Sequence, residues 1–146
     1  MKNVDNFGFS PLKVILVVTA LFLLTGITVL AINPGDKLGD KNNSQRKVDI
    51  SKIANAIHQY STDNAGVLPK TILSTTTEIC KTGARCAGLI NLSVLTVTEK
   101  YLSTMPIDPN GGTDNGTNYL ISKTASGSIT VSAPRAEKGE IITITR

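Results

Sequence analysis

The chain has no tryptophan, one histidine and two cysteines, and aromatic residues make up 4% of its 146 positions. After Phe22 only Tyr60, Tyr101 and Tyr119 carry aromatic rings, too few to stack a run of bases. The net charge is +4, yet Lys70, Lys81, Arg85, Lys100, Lys123, Arg135, Lys138 and Arg146 are scattered and form no basic block, so no specific nucleic-acid partner is expected. His58 has no second histidine and no cysteine close to it in sequence. It reads as a solvated or flank-packed side chain rather than a ligand or a base. Gly111-Gly112 and Gly127 precede no helix with a phosphate-binding signature and read as turns. With no recognisable set of nucleophile, base and orienting group, the chain is not expected to be an enzyme.

What the sequence does have is one long apolar run. Val14 to Ile32 is free of charge, bounded by Lys13 on one side and Asp36-Lys37 on the other. At about 1.5 Å per residue, such a helix matches a bilayer core of roughly 30 Å, and the spacing predicts a membrane-spanning segment over 9–33. A cleaved secretory signal is the alternative, with Val29-Leu30-Ala31 as its small-residue site, although the run exceeds the usual apolar region of about 7–15 residues. Asn33-Pro34-Gly35 follows, and the proline predicts a break or kink. From Asp36 or Ser44 to Ser61 the pattern is helical again. Ile50, Ile53, Ala54, Ile57 and Tyr60 share one face, while Lys41, Arg46, Lys47, Asp49, Lys52 and Gln59 are assigned to the others. Asp63-Asn64-Ala65-Gly66 and Pro69 end this helix.

Residues 70–88 read as loop and Leu89 to Leu102 as short helical turns. Three strand-like runs close the chain, Asn118–Lys123, Ser128–Ala133 and Glu140–Thr145, whose β-branched content and short connections predict an antiparallel meander. The expected fold is therefore α+β: a long N-terminal helix, membrane-spanning in its first half and amphipathic in its second, packed on a three-stranded sheet.

This pattern resembles the type IV pilins and type II secretion pseudopilins. Gly8-Phe9 followed by Ser10-Pro11-Leu12-Lys13-Val14-Ile15-Leu16 is similar to the family's G-F-T-L-I-E-L signature, which a prepilin peptidase cuts after the glycine. Lys52 to Tyr60 with Asp63-Asn64 and Pro69 is similar to the helix end of pseudopilins, and Tyr101-Leu102 to Asp108-Pro109 to their YL…LPxDP segment. The resemblance implies a leader over 1–8, cleavage between Gly8 and Phe9, and an extracytoplasmic pilin-like domain over 34–146. It implies the membrane, other pilin or pseudopilin subunits and prepilin peptidase as partners. A single-pass inner-membrane protein, or a cell-surface filament once assembled, would follow. Lys13 stands where the family has its signature glutamate, so a cation replaces the charge that pairs with a neighbour's N-terminal ammonium. That departure points to a minor, tip-like or poorly self-assembling subunit. A binding module that never polymerises is the rival reading.

Cys80 and Cys86 lie close together without the C-x-x-C spacing of a zinc site, and a local disulfide in an oxidising compartment is expected. Residues 108–118 are rich in side-chain oxygens, and Asp108, Asn110, Asp114 and Asn118 are candidate calcium ligands. Tyr119 at the twelfth position rules out an EF-hand, and a polar turn of Asn, Asp and Gly is the alternative.

Overall fold

The computed structural model describes residues 10–32 and 34–146, with side chains for 10–23, 35 and 37–146. The leader, its cleavage pair Gly8 and Phe9, and Asn33 lie outside the described residues. The chain divides into two compact units, residues 1–37 and 38–146.

In the first unit, helix α1 spans Pro11–Ile32. Pro11 opens it, which suits a residue with no N–H to satisfy and a backbone angle already near helical. The Ser10 carbonyl accepts from the amides of Lys13 at 2.9 Å and Val14 at 3.2 Å. Helix α2 spans Pro34–Asp63. The expected single long helix is not seen as one element: two helices are bounded on either side of Asn33, and Pro34 suits the first position of the second because it has no N–H to satisfy. Among the described residues no helix is long and apolar enough to cross a membrane. α2 carries charges along its length. The transmembrane segment over 9–33 and the single-pass inner-membrane placement are corrected accordingly.

In the second unit, β1 (Thr77–Cys80), β2 (Gly116–Lys123), β3 (Ile129–Ser132) and β4 (Thr143–Thr145) form one antiparallel sheet in the order β1-β2-β3-β4. The expected three-stranded sheet therefore has a fourth strand. β1 escapes detection because it is four residues long, lacks alternating burial and carries an irregular register between Glu78 and Cys80. The Leu89 to Leu102 segment holds one 3-10 turn, Ser93–Leu95.

β2 and β3 show why a sheet forms here. Tyr119 and Ile121 on β2, and Ile129 and Val131 on β3, point inward, with Thr130 and Ser132 half-buried between the latter. That period of two buries one face against Ile50, Ile53, Ala54 and Ile57 of α2. Gly127, at φ +89°, allows the tight β2–β3 turn closed by Thr124 N–H donating to the Ser128 carbonyl at 2.8 Å. α2 stops where Gly66, also at positive φ, donates its N–H back to the Ser61 carbonyl at 2.8 Å. Its end is fastened from outside: the Tyr101 hydroxyl donates to Asp63 at 3.0 Å, Lys100 pairs with Asp63 at 2.6 Å, and the Tyr101 ring meets Tyr60 edge-on at 5.7 Å.

Candidate functional site

Two features stand apart from ordinary core packing, one in each unit. On α1 the described side chains are apolar in every direction and exposed, among them Leu12 (72%), Ile15 (62%), Leu16 (67%) and Leu23 (68%). A helix apolar all round is one whose partners lie outside it. Thr19 does not interrupt this character, since its hydroxyl donates to the Ile15 and Leu16 carbonyls at 2.9 and 3.0 Å. Lys13, exposed in the first turn, is the only charged residue between Pro11 and Ile32.

In the second unit, α2 carries a buried polar stripe ahead of its apolar one. Asn42, Asn43, Arg46 and Asp49 are buried at three- and four-residue spacing and continue the line of Ile50, Ile53 and Ile57. Arg46 is fully buried. Its Nε donates to Asp108 Oδ2 at 2.7 Å and its Nη2 to Asp108 Oδ1 at 3.0 Å, while Nη1 donates to Asn43 Oδ1 at 3.0 Å and Glu137 Oε1 at 3.1 Å. Asn42 and Asn110 also donate to Glu137 Oε1, at 2.9 and 3.0 Å. Asn43 donates to the Glu137 carbonyl and to Glu140, each at 2.9 Å, and Lys47 pairs with Glu140. The Tyr119 hydroxyl donates to Asp49 Oδ2 at 2.8 Å, and Gln45 donates to Oδ1 at 2.7 Å.

Hydrogen bonding to Asp108 outweighs burial and holds the Arg46 guanidinium above its ordinary value, while burial and then Asp49 push the Tyr119 phenol up. Among the described residues no buried side-chain nitrogen or oxygen lacks a partner. The cluster therefore works as a clamp that ties α2 to the 108–110 turn and the 137–140 segment. Arg46 and Asp49 do not occupy outer faces, as the helical pattern suggested. The signal was there in the spacing, since positions 42, 46, 49, 50 and 53 form one continuous face.

Of the candidate calcium ligands, Asp108 and Asn110 belong to this clamp. Asp108 gives both carboxylate oxygens to Arg46. Asn110 contacts Asn42 and Glu137, the Asn118 amide donates to the Gly111 carbonyl at 2.5 Å, and Asp114 is exposed. Glu78 reaches into the loop instead, accepting from Asn118 N–H at 2.7 Å. Among the described residues no three His, Cys, Asp or Glu side chains come together as a metal site. Cys80 and Cys86 are joined by a disulfide, with Cα atoms 5.5 Å apart. His58 is exposed on α2, beside a groove lined by Ser61, Gly66 and Arg146. No family model, curated protein or solved structure matches the chain.

Proposed function

We propose that this chain is a structural subunit of the type IV pilin or pseudopilin kind, assembling with other subunits through α1. The observation that carries the reading is the apolar, exposed surface of α1, from Leu12 to Leu23. Burying it against α1 of neighbouring subunits removes apolar area from water at about 25 cal/mol per Å². The order of the Gly8-Phe9, Lys52 to Pro69 and Tyr101 to Pro109 segments supports the same reading, as does a disulfide suited to an oxidising compartment. In this scheme the second unit is a rigid head and needs no active site. Its fully satisfied clamp keeps α2 in register on the sheet.

Sedimentation and negative-stain electron microscopy of the full chain test the proposal. The wild type is expected to form α1-dependent oligomers or filaments, which Leu16→Asp and Leu23→Asp abolish with no change in the melting of the second unit. A chain that stays monomeric at high concentration, with the Asp variants indistinguishable from it, would leave the non-polymerising binding module as the reading.

A further inference from the structure

The two edges of the sheet differ. Along β1 the outer edge is covered: Cys80 N–H donates to the Ile90 carbonyl at 2.9 Å, and Ile90 N–H to the Glu78 carbonyl at 2.8 Å. The other edge, β4, is open among the described residues. Arg146 exchanges both backbone bonds with Ile129, at 2.9 and 2.7 Å, and the Ile142 carbonyl accepts from Ala133 at 2.9 Å. With Val131 opposite Ile144, the alternation of an antiparallel ladder turns the backbone groups of Ile141, Thr143 and Thr145 away from β3. All three residues are exposed, Ile141 at 89%.

We infer that this edge pairs with β4 of a second copy of the chain, antiparallel across a two-fold axis at Thr143. The outward backbone groups limit the registers to those that set outward residues opposite one another. With Thr143 opposite its own copy, Ile141 faces Thr145 and Glu140 faces Arg146, so each end of the ribbon carries one pair of opposite charges. Sliding by two residues places Arg146 opposite Ile142 in one direction and at the turn through Lys138 (φ +58°) and Gly139 (φ +70°), where the extended edge ends, in the other, so neither keeps the Glu140–Arg146 pairs. Charge complementarity thus selects both the partner and the register. Glu140 is already held in place by Lys47 and Asn43. The neighbouring groove between Lys47, Ile50 and Ser51 of α2 and Ile141–Ile144 is covered by the incoming copy. The contact is separate from assembly through α1.

The test places a cysteine on the axis. The native cysteines are already bonded to each other, so Thr143→Cys adds the only free thiol. Cα atoms about 5.5 Å apart across a hydrogen-bonded pair lie within disulfide reach. All variants carry Leu16→Asp in the full chain, so a contribution from α1 is removed. Thr143→Cys is expected to give a covalent dimer on non-reducing electrophoresis, while Val97→Cys, at another exposed site, gives little. Arg146→Glu and Glu140→Arg, each added to Thr143→Cys, are expected to slow cross-linking roughly 5- to 10-fold alone, and their mixture to restore it, because the charges then match again. If Thr143→Cys does not fold, a mixture of Ile141→Cys and Thr145→Cys reads the same register. Equal cross-linking of the axis and Val97→Cys variants, or charge variants that neither slow nor restore it, overturns the inference.

Discussion

Arg46 and Asp108, 62 residues apart in sequence, meet as a fully buried pair joined by two hydrogen bonds of 2.7 and 3.0 Å. Two opposed charges out of water stabilise little in net terms, but removing one strands the other. Arg46→Met or Asp108→Leu alone is expected to cost about 3–5 kcal/mol, and the double variant to recover most of that loss. Thermal melting of the four proteins decides the point. Additive losses in the double variant would show that the pair is not coupled.

Acid should loosen the same region and the far end of α2. Glu137 is held below its ordinary 4.5 by hydrogen bonds from Asn42, Arg46 and Asn110, Glu140 below 4.5 by Lys47, and Asp63 below 3.8 by Lys100 and Tyr101. A carboxyl depressed on folding contributes fully above its unfolded value and loses that contribution as pH falls through the folded value. Melting temperature is therefore expected to be level from neutral pH to about 5 and to fall below about 4.5. Glu137→Gln should have a shallower acid limb, and an acid limb identical to wild type would count against Glu137 as a contributor.

The disulfide closes a loop of sequence separation 6 beside β1. Mass spectrometry of non-reduced protein is expected to find no free thiol. Cys80→Ala with Cys86→Ala should lower stability by about 2–3 kcal/mol in the chain-entropy account, measured by urea unfolding.

Calcium is not expected to stabilise the 108–118 loop, because Asp108 already gives both oxygens to Arg46. Millimolar calcium and EDTA should leave the melting temperature unchanged within about 1 °C. A rise on adding calcium would mean that the loop rearranges to bind it.

Under the proposed assembly through α1, Lys13 is the charge to be accommodated, since an unpaired cation among apolar helices is costly. Lys13→Glu is expected to increase self-assembly, seen as a lower concentration for the onset of sedimentable material, without moving the melting temperature of the second unit. Abundant wild-type filaments unaffected by Lys13→Glu would refute this electrostatic account.

Much of the scaffold could be read from local pattern. The stripe Ile50, Ile53, Ala54 and Ile57 is a property of helical spacing, and the β-branched content of the last three runs is a property of strands. Cys80 and Cys86 are near enough in sequence to have been paired in advance. These signals need only a few neighbouring residues, which is why α2 and the strands β2 to β4 were anticipated in place. The proline at Pro34, from which a break or kink is expected, stands at the start of α2.

Sequence by itself determined the positions of those elements and the apolar character of α1. Only tertiary structure decided that Arg46 and Asp49 face inward, because a buried charge is tolerable only with partners, and those partners, Asp108, Glu137 and Tyr119, lie far along the chain. The same holds for β1: four residues without alternation become a strand because β2 and Ile90 offer backbone groups on either side. It holds for Asp108 too, whose carboxylate suggested a cation ligand in a list of oxygens and serves an arginine in the folded chain, since a guanidinium brought into reach satisfies both of its oxygens at once.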